Sequence, residues 1–243
     1  MPKDIFEDEK RSIDLLWGEK RGPSRGPKPG LSINQITWAA ITVADAEGLE
    51  AVSMQRVAHE CGVTTMALYR YVPDKAGLLA LMIDIGLGAP PSLDNVAGGW
   101  RPRLEEWTRQ IWATFHDHPW SLAATAPIRR IGPNELGWLE AAISILSETG
   151  LSGSEMLDAI DTVLVYVRSK AYHSAGMASR PEWDTVTADL LRKHSDRFPA
   201  LRAASASGSF GNSESNKLEF GLHLVLDGLS VLIAARTHHP VDE

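Results

Sequence analysis

The chain has 243 residues, 44% hydrophobic and 23% charged, with 24 basic against 31 acidic side chains. That length and apolar fraction suffice for one large domain or two small ones with a real core, and the net charge of −7 argues against a protein that coats nucleic acid without selectivity. The single cysteine, Cys61, excludes an intramolecular disulfide framework, no run approaches the ~18–20 apolar residues of a membrane span, and the polar, acidic start from Met1 to Lys10 is no secretory signal, so a soluble cytoplasmic protein is expected.

The charge is uneven. Residues 1–30 hold seven bases and six acids, residues 31–88 three and six, and residues 89–243 fourteen and nineteen. After Glu19 the leader carries Lys20, Arg21, Arg25 and Lys28 among Pro23, Pro27, Pro29 and their glycines. Such a composition neither packs nor forms helix, so residues 1–30 are expected to be a flexible basic arm.

Beyond the leader almost every periodic segment has helical spacing and none alternates with the period of a strand. Ser32 caps a helix running through Ile36, Ala40, Ile41, Val43 and Ala44 to a stop at Gly48. Ser53 caps a short one, Met54 to Glu60, ended by Gly62. A third runs from about Thr64 to Tyr71 and stops before Pro73, which opens a fourth that frays at Gly86 and Gly88. Gly88 to Gly99 is the clearest internal boundary, dividing residues 31–88 from 89–243. Trp100 to His118 then places Leu104, Trp107, Ile111 and Phe115 on one helical stripe. Short helices follow from Pro119 and from Pro133 to Thr149, then a long one from Ser152 or Ser154 to about Gly176. Another runs from Pro181 to about Ser195, and Ala204 to Ser215 reads as a small-residue linker. The last helix, about Ser215 to Thr237, is apolar nearly all round, and a partner subunit is the economical cover. The fold class is therefore all-α: a small head, a larger helical body and a homodimer.

The chemistry concentrates in residues 53–75, SMQRVAHECGVTTMALYRYVPDK. Val57 and Ala58 of one short helix can pack on Leu68 of the next, with Gly62 in the turn between them. Two short helices about such a turn make a helix-turn-helix, whose second helix enters a major groove. Its exposed face offers Thr64, Thr65, Met66, Ala67, Tyr69, Arg70 and Tyr71. Hydroxyls and phenols can donate to phosphates, Arg70 can pair with phosphate or guanine, and Met66 and Ala67 can touch a thymine methyl. Lys75, at the start of the following helix, is placed to meet a phosphate.

The run L-x-x-[VA]-A-x-x-x-G-V-x-x-x-x-L-Y-x-Y-V-x-x-K-x-x-L, carried by Val57, Ala58, Gly62, Val63, Leu68, Tyr69, Tyr71, Val72, Lys75 and Leu78, resembles the TetR family of bacterial transcriptional regulators. The stretch from Ala44 to Met54 is equally typical. The body resembles the tetracycline-repressor type of C-terminal domain at Trp100, His118-Pro119, Gly132-Pro133, Glu148 to Ser152 and Phe220 to Leu229. The leader from Trp17 to Ser32 is similar to that of an actinobacterial branch of these regulators.

The resemblance implies a dimeric repressor that binds a palindromic double-stranded operator and is released by a small molecule. By motif position its DNA contacts fall at Ser53, Gln55, Thr65, Met66, Ala67, Tyr69, Arg70, Tyr71 and Lys75. The arm residues Arg21, Arg25 and Lys28 add a minor-groove or phosphate contact. Ligand positions fall at Trp107, Ile111, Trp138, Ser144, Leu157, Ile160, Tyr166 and His173, with Phe115 and Arg129 nearby, a lining suited to a bulky planar or hydrophobic effector. The family's magnesium-binding histidine aligns near Thr125 and a second polar contact near Pro91, which argues against magnesium-tetracycline. No cofactor and no metal site are expected.

Other features read as structural. His116 and His118 lie on different faces of a helix and cannot share a metal. His238-His239 suits a helix C-terminus, and Cys61 beside Gly62 reads as a small core residue, a redox sensor being the other reading. There is no Gly-x-Ser-x-Gly elbow, glycine-rich phosphate loop or Cys/His metal spacing, so an enzyme is not expected. The remaining alternative is a DNA-binding regulator that answers to a protein partner or to nothing.

Overall fold

The computed structural model describes residues 10, 12–18, 31–125, 130–175, 181–206 and 218–238. The head begins with α1 (Ile33–Glu47), started by a capping box. Gln35 N donates to Ser32 Oγ at 3.2 Å, and Ser32 N donates to Gln35 Oε1 at 2.8 Å. A turn of 3-10 helix (Leu49–Ala51) leads to α2 (Met54–Glu60), whose cap Ser53 accepts from Arg56 N. α3 (Thr65–Tyr69) is capped by Thr64.

α3 is shorter than the spacing predicts. Arg70 ends it, and the amides of Tyr71 and Val72 both turn back to the Leu68 carbonyl. The residues before Pro73 are pushed out of helical geometry by its ring. α4 (Lys75–Leu87) is opened by Asp74, whose carboxylate accepts from Gly77 N, and not by Pro73. It continues through Gly86 and stops at Gly88, where φ is +72°. Ile36, Ile41, Val57, Leu68, Leu78 and Met82 form the sealed centre of the head.

The body contains α5 (Trp100–Asp117), α6 (Ser121–Ala124), α7 (Pro133–Leu146), α8 (Gly153–Ser174), α9 (Pro181–Lys193), α10 (Pro199–Ala206) and α11 (Glu219–His238), with a 3-10 turn at Ser195–Arg197. Among the described residues there is no strand. The expected stripe of α5 is buried: Leu104, Trp107, Ile111 and Phe115 face the core with Leu146, Ile160, Val163 and Leu222. α7 ends before Thr149, whose amide and hydroxyl both donate to the Leu146 carbonyl. Ser152, not Ser154, caps α8, in a reciprocal box with Glu155.

Two segments differ from what the sequence predicts. Residues 199–206 are helical where the small-residue linker was expected to begin, because Pro199 starts a run of good helix formers, Ala200 to Ala204; residues 207–217 lie outside the described ones. Within the expected arm, residues 12–16 form a helical turn that buries Ser12 and Leu16 against the head. Two apolar neighbours, Leu15 and Leu16, give this short stretch something to bury.

Candidate DNA-contacting surface and body cavity

The turn between α2 and α3 rests on Gly62, at φ +66°, a left-handed conformation in which a side chain is strained. Arg56 secures this end of the head by pairing with Glu47 at 2.8 Å and Glu60 at 2.6 Å, and both contacts raise its affinity for its proton. With Leu68 wholly buried, α3 turns the rest of its circumference outward. Met66 is 74% exposed. Tyr69, Arg70, Thr64, Gln55, Ser53 and Lys75 are also exposed, whereas Thr65, Ala67 and Tyr71 are half-buried. Thr64 and Ser53 use their oxygens to accept the amides of Ala67 and Arg56, so each contributes a cap and leaves its hydroxyl proton for another acceptor. Arg21, Arg25 and Lys28 lie outside the described residues.

Cys61 packs half-buried beside this turn, and burial, reinforced by the Glu60 charge, pushes its thiol pKa up. That disfavours the thiolate on which redox chemistry depends.

A cavity of about 450 Å³ lies where α4, α5, α7 and α8 converge. Four of the sequence-predicted ligand positions meet in its wall: Trp107, Ile111, Phe115 and Trp138. The indole N–H of Trp107 donates to the Trp138 carbonyl at 3.0 Å, and that of Trp138 to the Gly88 carbonyl at 3.1 Å. With both polar edges satisfied inside the protein, the ring surfaces that reach the cavity are purely apolar.

The other predicted ligand positions are elsewhere. Ile160 is sealed in the body core, Leu157 and Ser144 are exposed, and exposed His173 turns its Nδ1 to the Ser169 carbonyl. Tyr166 packs against α11, its hydroxyl donating to the Leu218 carbonyl at 2.9 Å. Arg129 lies outside the described residues.

The remaining wall was not among the ligand positions read from the sequence, although Thr125 in it is where the resemblance aligns the family's magnesium-binding histidine. It includes His118, Trp120, Thr125, Ile131, Glu135, Leu136, Leu139, Asp161 and Arg168. Arg168 donates to the carbonyls of Leu122 at 3.0 Å and Thr125 at 3.3 Å, bracing α6 against α8. The one available signal was local: His118-Pro119-Trp120 breaks the helical pattern and collects aromatic and polar groups at a chain bend. His116, by contrast, is exposed and stacks on Trp112 with ring centres 4.5 Å apart. His239 lies outside the described residues. Among the described residues no three His, Cys, Asp or Glu side chains converge on a metal-sized point, and no helix is long and apolar enough to cross a membrane.

Comparison with known proteins agrees with this architecture. Residues 36–82 match the family described as bacterial regulatory proteins, tetR family, and residues 91–233 match the tetracyclin repressor-like C-terminal domain. The chain is 38% identical over 241 residues to the HTH-type transcriptional repressor DrrR1 of Streptomyces coeruleorubidus, covering 94% of this chain and 88% of the relative. It is similar in structure to ActR of Streptomyces coelicolor in complex with actinorhodin, with a TM-score of 0.70 and 26% identity over 84% of this chain and 97% of that one. Apo ActR superposes with a TM-score of 0.71 at 24% identity, covering 86% and 99% of the two chains. The helix-turn-helix head, the helical body and these likenesses agree: the chain belongs to the tetR family of bacterial regulatory proteins and is a DNA-binding transcriptional repressor, not an enzyme.

Proposed function

We propose that this repressor acts in the cytoplasm as a homodimer on a palindromic operator and leaves it when a bulky, largely apolar aromatic molecule enters the body cavity. The observation that carries the effector reading is the wall itself. Trp107, Trp138, Phe115 and Ile111 present apolar surface around about 450 Å³, a volume within the range of small-molecule sites. Glu135, Asp161, His118 and Arg168 give it a few polar groups with which to orient a ligand. That ActR has been solved in complex with actinorhodin supports a small-molecule ligand for a chain of this fold.

On the DNA side the proposed contacts are Ser53, Gln55, Thr64, Thr65, Met66, Ala67, Tyr69, Arg70, Tyr71 and Lys75, with Arg21, Arg25 and Lys28 supplying phosphate or minor-groove contacts. For the ligand, Trp107, Ile111, Phe115 and Trp138 are the residues we retain. The dimer reading rests on α11. One side of it, Leu222, Leu226, Leu229 and Ile233, is buried in the body, while Phe220, Leu224 and Val231 are 76%, 60% and 72% exposed on the other. An apolar face of this kind on a helix is covered economically by its symmetry mate.

The test starts by selecting the operator from a random duplex pool with the purified protein. Release of that duplex is then titrated with actinorhodin and a panel of planar aromatic compounds. Linkage requires operator to weaken ligand binding by the same factor that ligand weakens operator binding. Equal ligand affinity with and without DNA, or no release by any compound, would leave a regulator answering to a protein partner or to nothing.

A further inference from the structure

Two carboxylates in unlike surroundings hold the head to the body, beside a longer ion pair between Asp74 and Arg130 at 3.8 Å. Asp84, on α4, is buried and closes the N-terminus of α7. Its Oδ1 accepts the amides of Asn134 at 2.9 Å and Glu135 at 3.2 Å, and its backbone carbonyl accepts from Asn134 Nδ2 at 2.9 Å. Gly132 approaches so closely that any Cβ there would overlap the carboxylate. Burial pushes the Asp84 pKa above its ordinary value, with the two amides opposing that shift.

Asp45, near the end of α1, keeps 35% of its side chain in solvent. A single oxygen, Oδ1, accepts from Trp120 Nε1 at 2.7 Å and lies 2.9 Å from His118 Nδ1. Both rings belong to the cavity wall. They also rest on α4: a Cβ on Gly86 would stand 3.5 Å from His118 Cδ2 and 3.6 Å from Trp120 Cζ2. Two rings of the body thus touch two head helices, α1 and α4, on one side and the cavity on the other.

We propose that Asp45 is a latch and Asp84 a pivot: an occupant of the cavity displaces Trp120 and His118, frees Asp45, and lets the head turn about the Asp84 joint. This rests on the effector reading above and names its route to the DNA. The order of breaking follows from solvation. Asp45 exchanges its two ring contacts for water at small cost, whereas Asp84 stripped of its donors is left as an unpaired buried carboxylate. The head turns as one piece, because Arg56 and the Leu68 core tie α1, α2 and α3 together. In a two-fold dimer the heads turn in opposite senses, so a small rotation changes the separation of the recognition helices.

The experiment uses the full chain, its selected operator and a duplex bearing one half-site. Asp45→Ala and Trp120→Phe are made singly and together; the phenylalanine keeps an aromatic ring but removes the N–H. Each single variant is expected to lose about tenfold in affinity for the complete operator and nothing on the half-site, and the double to lose no more than the worse single. Unchanged operator affinity, parallel loss on operator and half-site, or losses that multiply in the double would overturn the latch. Thermal unfolding of each variant separates a latch effect from simple destabilisation, which would lower both affinities together. With actinorhodin as probe, Asp45→Ala should bind it while releasing operator far less than the wild type does. A wild type that ignores the probe counts against the effector reading alone, since the operator and half-site comparison still decides the latch.

Discussion

The indole nitrogen of Trp17 donates to the carbonyl of Ile131 over 3.2 Å, fastening the N-terminal leader to a residue of the cavity wall. The adjoining Leu16 is buried in the head, so the turn over residues 12–16 bridges the two halves of the molecule. Trp17→Ala should therefore loosen the segment around Ile131 at a cost of about 1 kcal/mol, the net worth of one such bond. The expected readout is faster hydrogen exchange in peptides spanning residues 130–135 and a thermal midpoint about 2–4 °C lower.

On the DNA surface the arm and the recognition helix should separate by salt. Replacing Arg21, Arg25 and Lys28 together by Ala should flatten the slope of log affinity against log salt by about 0.9 for each phosphate no longer neutralised. The substitution leaves the docked turn at 12–16 in place. An unchanged slope would show that these three cations do not touch DNA.

Arg70→Ala should cost about 1–3 kcal/mol and relax preference at one base, while Lys75→Ala should weaken all sequences alike and reduce the salt slope by about 1. Repeating the operator selection with each variant distinguishes the two outcomes. Identical base preferences in the two selections would reject a base-reading role for Arg70.

A Cβ on Gly62 would meet no atom within 4 Å, so only the backbone conformation resists substitution there. Gly62→Ala is expected to cost about 1–2 kcal/mol, and Gly62→Asn less, because asparagine tolerates the left-handed region. Chemical denaturation of the two variants should rank them in that order.

Glu155 joins the start of α8 to Arg236 near the end of α11. The guanidinium, helped by the Ser152 amide, holds its pKa down from 4.5 to about 2. A depressed carboxylate contributes stability that is fully present above its unfolded pKa and is lost as pH falls through the folded value. The thermal-midpoint advantage of wild type over Glu155→Gln should thus hold at neutral pH and shrink as pH drops from 4.5 towards 2. Glutamine keeps an acceptor for the capping box, so the comparison isolates the charge. A pH-independent difference would mean that the ion pair contributes nothing.

Much of this protein is written locally. Helix starts at Ser32 and Ser53 and the stop at Gly48 are legible because a cap is a contact between residues three or four apart, while the choice between Ser152 and Ser154 stayed open. The buried stripe of α5 follows from helical period alone, and the exposed face of α3 follows once Leu68 is assigned to the core. Local reading erred where a neighbour in space decides. Leu15 and Leu16 found an apolar surface on which an otherwise polar leader could dock; the start of α4 was a different error, since the Asp74 cap that displaced Pro73 is itself a local contact with Gly77.

The cavity and its link to the head could be decided only by the tertiary structure. Tyr166 and Ile160 sit on the same helix as Arg168 and Val165, yet the first pair packs inside the body and the second lines the cavity. Asp45 and Trp120 lie 75 positions apart, and folding alone brings them within 2.7 Å. The opening charge balance likewise gave a total, −7, without saying where selectivity or coupling resides. Caps and amphipathic stripes depend on spacings of three to seven residues, which a sequence displays directly. A cavity wall and a two-ring grip on one carboxylate depend on how helices cross, and that is set by the packing of every side chain between them.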